Sequence, residues 1–274
     1  MKTCVVFFCL IAIGLGLSGA VGAEQLAAKK IRVLLTHGGH GFEEKPFFAM
    51  FDALDNVQTT KARLPQSAGL LKPGLEKEYD VIVRYDMVSD FTPDQEKAFV
   101  ELLHCGIGLV SLHHNLGAHR QWGEYAKIIG GKYCFGVFQE DGKKFGPSGY
   151  EEGLDLKVAV ADREHPISRG LAGFAIHDEV YNHCYFAPNI HVLLTTNHPK
   201  NGPNIAWTHE YGKSRVFYFQ LGHDSEAWKN PVYPKILARG IRWAAQGSGA
   251  NSTPASTKGY QQSACPLSLS DRID

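Results

Sequence analysis

The sequence predicts an α/β fold of the flavodoxin-like type, with a doubly wound, mostly parallel sheet and helices on both faces. From Ile31 onward, short β-rich runs alternate with runs of helical spacing, and this order is typical of parallel strands joined by right-handed crossovers. The run "IGLVSLHH" (107–114) is continuously apolar up to its histidines, as expected for a strand that is buried on both faces. The 274 residues are 44% hydrophobic, which is enough for the core of one large domain.

The first half of the chain predicts a regular alternation of strands and helices. The segment 92–106 has the clearest helix signals, because Thr92 is a good capping residue, Pro93 fits the first helical position and Gly106 ends the pattern. The segment "EKPFFAMFDALDN" carries its apolar residues at helical spacing. The predicted elements are strands at 31–37, 58–64, 79–86 and 107–114, and helices at 44–56, 92–106 and 121–131.

The second half of the chain is richer in strands. No internal repeat is visible in it, and after Gly247 the composition shifts to Ser, Thr and Gly without periodicity. We therefore expect one domain over residues 24–246 and a disordered tail over residues 247–274. The predicted elements are strands at 154–161, 178–185, 190–197, 204–210 and 215–221, and a closing helix at 233–247.

The first 23 residues have the pattern of a secretion signal. Lys2 precedes a long apolar stretch, and the small residues Ala20, Gly22 and Ala23 suit a signal peptidase. We expect cleavage near Ala23 and a secreted or periplasmic protein without a stable membrane anchor. An uncleaved anchor is the alternative, because the apolar stretch is nearly long enough to span a bilayer. The sequence does not select a disulfide pair among the cysteines that remain, which are Cys105, Cys134, Cys184 and Cys265.

The net charge of the chain disfavours nucleic acid and anionic membrane surfaces as partners. The formal net charge is +0, so the chain lacks the basic excess of proteins that bind nucleic acid or an anionic membrane surface. We expect no nucleic-acid partner. The sequence does not decide between a monomer and a homo-oligomer.

Histidines follow several predicted strands at the sheet edge where ligands bind in open α/β sheets. His40 lies in the loop after the first strand, His113 ends the central strand and His223 follows the last strand. Because imidazoles and carboxylates are common zinc ligands, these three histidines are candidate ligands of one divalent metal, with zinc the expected ion. Glu179 is a candidate ligand or catalytic base. Asp224, like Asp178, is a candidate acceptor that orients a ligating histidine, and we include Asp224 among the catalytic residues.

Neighbouring side chains are candidates for binding substrate. Strand alternation sends His114 to the side opposite His113, so the two imidazoles are not expected to ligate one ion. Tyr181, His183 and Trp228 are candidates for the wall of the cleft, where flat rings suit the faces of a sugar. The alternative for each histidine is an ordinary hydrogen-bonded core or loop residue.

Two common kinds of site are disfavoured by the motifs. The region "SLHHNLG" holds neither a cysteine nor a G-x-S-x-G motif, which disfavours a Ser or Cys hydrolase. The sequence "GGHG" after the first strand lacks the G-x-G-x-x-G pattern of a dinucleotide site.

Three segments together resemble the trehalose-utilisation, or ThuA-like, family over roughly residues 31–245. They are "GLVSLHHNLG", "HPISRGL" followed by "DEVY", and "SRVFYFQLGHDSEAWKNPVYPKILARGIRWA". The resemblance implies a fold similar to class I glutamine amidotransferases without their cysteine nucleophile, since His113 and His114 stand where that cysteine is expected. It also implies a role in handling sugars through 3-keto intermediates, and a divalent metal such as zinc in some relatives. The chain departs from the pattern at "GHD", because relatives vary after the histidine, so the role of Asp224 stays open.

These observations lead to three hypotheses for the function. The first is a metal-assisted isomerisation, elimination or cleavage of an oxidised (3-keto) sugar or glycoside, with a small-molecule carbohydrate as partner. The second is a metal-dependent hydrolase of a sugar-linked bond. The third is a non-catalytic module that binds a sugar or a partner, so the sequence does not establish that the protein is an enzyme.

Overall fold

The computed structural model describes Met1 and residues 30–89 and 91–247. The predicted leader, apart from Met1, and the predicted tail after Gly247 lie outside the described residues. The helices are α1 (Glu44–Asp52), α2 (Leu75–Glu78), α3 (Pro93–Cys105), α4 (Gly123–Ile129), α5 (Ser225–Lys229) and α6 (Val232–Ala244), with 3₁₀ turns at Ala68–Leu70 and His113–Gly117. None of the helices in the part of the chain that is described has the length and apolar character needed to cross a membrane.

The strands are more numerous than the sequence predicts. They are β1 (Ile31–Gly38), β2 (Val57–Arg63), β3 (Val81–Asp86), β4 (Gly108–Leu112), β5 (Gly131–Lys132), β6 (Phe138–Glu140), β7 (Lys143–Phe145), β8 (Gly149–Val160), β9 (Phe174–Asn182), β10 (Tyr185–Phe186), β11 (His191–Thr196), β12 (Asn204–Tyr211) and β13 (Ser214–Phe219). The small strands β5, β6, β7 and β10 form two-stranded pairs outside the main sheet.

Nine strands form the main sheet, in the order β2-β1-β3-β4-β13-β12-β11-β8-β9. The strands from β2 to β13 in this order pair in parallel, and those from β13 to β9 pair antiparallel. The predicted α/β fold, doubly wound and flavodoxin-like, is confirmed. Short connections explain the antiparallel pairs β11–β12 and β12–β13, since a parallel return requires a crossover of a dozen or more residues.

Helices cover both faces of the sheet, and alternate strand residues face one cluster or the other. On β3, Val81 and Val83 belong to one hydrophobic cluster, and Ile82 between them belongs to the other. The first cluster contains Phe47 of α1, Trp228 of α5 and Ile236 of α6. The second contains Leu75 of α2, Leu102 of α3 and Ile128 of α4.

Helix α3 shows how local sequence sets the boundaries of an element. The Thr92 side chain accepts a hydrogen bond from the backbone N–H of Gln95, and the Gln95 side chain accepts one from the backbone N–H of Thr92. This capping box satisfies two donors that the first turn leaves unpaired. At the other end Gly106 adopts a φ of 97°, a conformation that glycine reaches without strain.

Two of the candidate disulfide cysteines are free thiols. Cys134 and Cys184 are both buried and unbridged. Cys265 lies outside the described residues.

Candidate functional site

Neighbouring strands of the parallel part deliver two of the candidate histidines to one edge of the sheet. His113 directly follows β4, and His223 lies in the loop between β13 and α5. Because β13 and β4 are parallel neighbours, their carboxyl ends lie side by side. Glu179 of β9 joins them from the antiparallel part of the sheet, so three segments far apart in the chain form one cluster.

The three side chains present their donor atoms to one another at close range. Nε2 of His113 lies 3.0 Å from Oε2 of Glu179 and 3.2 Å from Nδ1 of His223. Nδ1 of His223 lies 3.4 Å from the same oxygen of Glu179. Among the described residues, these are the three groups whose donor atoms all lie within 4.8 Å of one another in a metal-ligand pattern.

The backbone fixes the orientation of the His113 ring. Nδ1 of His113 donates to the backbone carbonyl of Gln220 at 2.7 Å, and the carbonyl of His113 accepts from the hydroxyl of Tyr218 at 2.9 Å. This pairing keeps a proton on Nδ1 and makes Nε2 the ring nitrogen that faces the cluster. His113 has a positive φ of 49°, a conformation that is uncommon for a residue with a side chain and is held here by these two bonds.

Asp178 anchors the loop that carries His223, although through the backbone and not through an imidazole ring. Its carboxylate accepts from the backbone N–H groups of Gly222 at 2.7 Å and His223 at 3.0 Å. Gly222 has a φ of 112°, and a Cβ there would lie 2.4 Å from the hydroxyl oxygen of Tyr233. The loop therefore requires glycine at position 222, and "LGH" in the sequence is a structural requirement of the site.

Burial and hydrogen bonding shift the ionisation of the acidic residues in opposite directions. Burial alone raises the pKa of Glu179, but the hydrogen bonds from His113 and His223 outweigh it and hold that pKa well below the usual range. The hydrogen bond to Glu179 raises the pKa of His223. Burial raises the pKa of Asp178 despite its three backbone donors. Glu179 is therefore an ionised, acceptor-only carboxylate, as a metal ligand must be.

The donor set fits a divalent metal. Zinc bonds of about 2.0–2.2 Å to nitrogen and oxygen place neighbouring ligand atoms about 3.3–3.6 Å apart in a tetrahedral site. The separations here, 3.0, 3.2 and 3.4 Å, are close to this range. A ligating histidine usually donates its other ring N–H to a carbonyl or carboxylate, and His113 does so to Gln220. His113, His223 and Glu179 are thus a candidate three-residue set with room for a further ligand.

A cavity of about 190 Å³ adjoins this cluster. Glu179 and Tyr181 belong to its wall, so a molecule in the cavity reaches the cluster directly. The other lining residues are His40, Met87, His114, Gly117, Tyr133, Phe135, Tyr150 and Glu152.

His114 is the polar side chain in this wall that most needs a ligand. It is 5% exposed, and neither of its ring nitrogens has a hydrogen-bond partner. Burial holds its pKa well below the usual value, so the ring is neutral. His40 stacks on it with ring centroids 4.5 Å apart. A buried donor and acceptor without partners cost free energy unless a ligand or water satisfies them.

The other predicted site residues lie at different places. His40 is exposed and lines the cavity, but it does not belong to the cluster of three close donors. The Tyr181 hydroxyl lies 3.1 Å from Nε2 of His113. His183 is exposed in the connection between β9 and β10, away from the residues that line the cavity.

Trp228 and Asp224 support the His223 loop from outside the cavity. The indole of Trp228 is buried, packs on Phe47 and donates to the carbonyl of Gly222 at 3.0 Å. The carboxylate of Asp224 caps α5 by accepting from the backbone N–H groups of Glu226 and Ala227. Both residues therefore help to position the loop, and the predicted roles of Trp228 in substrate binding and Asp224 in catalysis stay predictions.

Tyr150 and Glu152 are among the lining residues that escape prediction from the sequence. Glu152 and Tyr150 lie at the start of β8, before the alternating run at 154–161 that signals a strand. A bulge in β8 displaces them from the regular alternation, so periodicity carries no signal for their direction. The "EEG" triplet at 151–153 is the one local hint, because a glycine at a strand end often marks a bulge.

A known protein family matches most of the chain. The sequence model of the ThuA family, described as trehalose utilisation, matches residues 32–244. No curated protein sequence matches the chain.

Solved structures share the fold at low sequence identity. A ThuA-like protein from Parabacteroides merdae has a TM-score of 0.68 and 22% identity, over 83% of this chain and 94% of that one. A ThuA-like protein from Bacteroides uniformis has a TM-score of 0.60 and 21% identity, over 81% and 95%. A cytoplasmic protein from Salmonella typhimurium has a TM-score of 0.57 and 14% identity, over 78% and 99%. At these identities the likeness shows the fold alone.

Proposed function

Because the chain belongs to the ThuA family, whose members act in trehalose utilisation, we propose that this protein converts an oxidised (3-keto) sugar or glycoside with the help of a divalent metal, zinc being the expected ion. The observation that carries the proposal is the cluster of His113, His223 and Glu179, whose donor atoms lie 3.0–3.4 Å apart beside a cavity. Two histidines and a glutamate are a ligand set that zinc takes in catalytic sites.

The residues of the cluster divide into ligands and supports. His113, His223 and Glu179 would hold the ion, and it would supply Lewis-acid polarisation of the sugar carbonyl. Gln220 keeps the proton of His113 on Nδ1. Asp178 keeps the loop of His223 in place.

The cavity wall offers the groups that a sugar requires. His114 lines the cavity, and its buried ring nitrogens lack a hydrogen-bond partner in the structure. Tyr133 and Phe135 present aromatic rings 4.9 Å apart between centroids, and both line the cavity. Apolar rings with a few polar groups are typical of small-molecule sites. A carbohydrate of few rings is therefore the proposed partner.

Metal analysis of the purified protein tests whether the proposed cluster binds a divalent metal. We expect one zinc ion per chain in the wild type and loss of most of it in His113→Ala and His223→Ala. His177→Ala is the matched control, because His177 is an exposed histidine of the same sheet that pairs with Asp155 at 2.8 Å. Equal metal content in all four proteins would remove the cluster as the metal site.

Solvent isotope exchange tests whether the protein removes a proton from the 3-keto sugar. In deuterated water, a methyl 3-keto-glucoside should gain deuterium at the carbon beside its carbonyl when the metal-loaded protein is added. Metal-loaded protein that never exchanges this hydrogen would contradict the proposed reaction. Incorporation of labelled solvent oxygen into a cleaved product would instead support the hydrolase, and ligand binding without turnover would support the non-catalytic module.

A further inference from the structure

We propose that Glu152 is the catalytic base of this site, the group that accepts a proton from substrate, while Glu179 serves as a ligand of the metal. This inference rests on the proposed function and assigns its proton-transfer step to a residue. Strand periodicity does not single out Glu152. The assignment rests on the position of Glu152 in the folded chain.

A β-bulge directs Glu152 towards the site. In the pairing of β8 with β9, Glu151 lies opposite Val180 and Leu154 lies opposite Asp178. Two residues of β8, Glu152 and Gly153, are therefore set against the single residue Glu179. Bulges of this kind re-aim a side chain and are common beside active sites.

The glycine makes this bulge attainable. Gly153 has a φ of 72°, which other residues adopt only with strain. The result is that two carboxylates from neighbouring strands, Glu152 and Glu179, line the same cavity.

The two carboxylates differ in what they already contact. Glu179 is 6% exposed, and one of its oxygens lies within 3.4 Å of both His113 and His223. Glu152 has a side chain that is 59% exposed, and its ion pair with Nε2 of His223 spans 3.9 Å, which is longer than a hydrogen bond. A carboxylate engaged with two imidazoles is poorly placed to accept a further proton, whereas Glu152 faces the cavity with its oxygens accessible.

The step balances without an oxidant or a further reactant. A Glu152 oxygen takes the proton from the carbon beside the carbonyl, so a C–H bond breaks and an O–H bond forms. The electron pair of the C–H bond forms a C=C bond, and the carbonyl π pair moves onto oxygen. Return of the proton from Glu152 to carbon regenerates the carboxylate. If the proton is delivered instead to the former carbonyl carbon, the hydroxyl proton on the neighbouring carbon passes to the former carbonyl oxygen, and the isomeric ketone forms.

The neighbouring Glu151 provides a matched control. Its two oxygens accept from Nζ of Lys200 at 2.7 and 2.8 Å on the surface. Successive residues of a strand point to opposite faces, and Glu151 does not line the cavity. The variants Glu151→Gln and Glu152→Gln thus remove the same charge from adjacent positions.

The experiment compares Glu151→Gln, Glu152→Gln and Glu179→Gln by metal content, by affinity for the methyl 3-keto-glucoside and by deuterium exchange. We expect Glu152→Gln to keep its metal and bind the sugar with little change, and to lose about 100-fold or more of the exchange rate. Glu179→Gln should lose metal, and Glu151→Gln should match the wild type. Glu152→Asp, which withdraws the carboxylate by one methylene group, should keep metal and exchange slowly.

Either of two results would overturn the assignment. Metal-loaded Glu152→Gln that exchanges deuterium at the wild-type rate would show that another group is the base. Loss of metal from Glu152→Gln would make Glu152 a ligand. By contrast, a wild type that binds no metal or exchanges no deuterium would defeat the proposed function itself, and the assignment would fall with it.

Discussion

At the scale of single residues, a buried ion pair supports the turn that carries His113. Arg84 and Asp86 of β3 are both fully buried, and they pair at 2.6 Å. The Asn115 side chain donates to the carbonyl of Asp86 at 2.7 Å and accepts from Ser111 at 2.7 Å. Removing one partner of a buried pair leaves a charge uncompensated, which is far more costly than losing a surface pair. This buried network therefore holds the turn after β4 in place.

His119 completes this network as a neutral imidazole. Its Nε2 accepts from the guanidinium of Arg84 at 3.0 Å. Burial, together with the nearby charges of Arg84 and Lys132, lowers the pKa of His119 to about 2. A protonated ring would confront a buried cation at hydrogen-bond distance, so the folded protein excludes the proton.

Acid should destabilise the protein through His119. Between about pH 6.5, the usual pKa of histidine, and about pH 2, the unfolded chain binds a proton at this residue and the folded chain does not. Stability therefore falls as pH decreases through this window, by up to about 1.4 kcal/mol for each pH unit. His119→Gln keeps an acceptor for Arg84 and does not titrate. Denaturant unfolding at pH 6.5, 5.5 and 4.5 should show a shallower decline for the variant, and parallel curves would contradict this role.

Prediction from sequence succeeded for residues that follow a clear strand. His113 and His223 come after continuous apolar runs, and parallel neighbours share an edge, so the sequence places them together. Glu179 was a candidate by its motif, and the structure puts it between them. His40 differs because it lies in a loop whose path no periodicity determines. Glu152 was missed because a bulge cancels the alternation from which side-chain direction is predicted.

At the scale of elements, helix α6 packs unusually closely on strand β13. Gly240 lies against the ring of Phe217, and a Cβ at this position would lie 2.2 Å from Cδ1 of that ring. Phe217 is fully buried in the sheet. The ring cannot withdraw without disturbing its own neighbours, because protein cores are packed near crystal density.

Gly240→Ala should therefore lower stability even though alanine is the better helix former. The gain in helix propensity is about 1 kcal/mol, and overpacking a filled core costs about 1–3 kcal/mol. Gly123→Ala in α4 is the matched control, since nothing lies within 4 Å of a Cβ there, and it should stabilise or leave stability unchanged. Thermal unfolding of both variants measures the difference. A Gly240→Ala protein as stable as Gly123→Ala would show that the contact is loose.

Elements with local signals were predicted well, and elements that depend on tertiary contacts were not. Helix α3 begins and ends at its capping residues Thr92 and Gly106, as its sequence indicates. The hairpin of β6 and β7 and the short helix α5 were not predicted. Strands of three residues and helices of five carry too few residues to show a period. The first helix ends at Asp52 and not at 56, because apolar spacing alone does not fix a boundary.

At the scale of the whole molecule, the candidate site combines residues from both parts of the sheet. The parallel part supplies His113 and His223 from neighbouring strands, and the antiparallel part supplies Glu179 and Glu152 across the cavity. The supports of these residues are internal to the protein, since Gln220 holds His113 and Asp178 holds the loop of His223. Two hydrophobic clusters cover the faces of the sheet. The groups that orient the site residues are thus part of the fold itself.

A site whose supports are part of the fold predicts how a metal changes stability. An ion that binds the folded state alone adds about 2.7 kcal/mol at a concentration 100 times its Kd, and each kcal/mol raises Tm by about 2–4 °C in a protein of this size. We expect a chelator to leave the protein folded at 25 °C, and saturating zinc to raise its Tm by about 5–10 °C. His223→Ala should lose this rise and His177→Ala should keep it. Scanning calorimetry with and without zinc measures both. An equal rise in His223→Ala would place the stabilising ion elsewhere, and unfolding on chelation would show that the metal is part of the core.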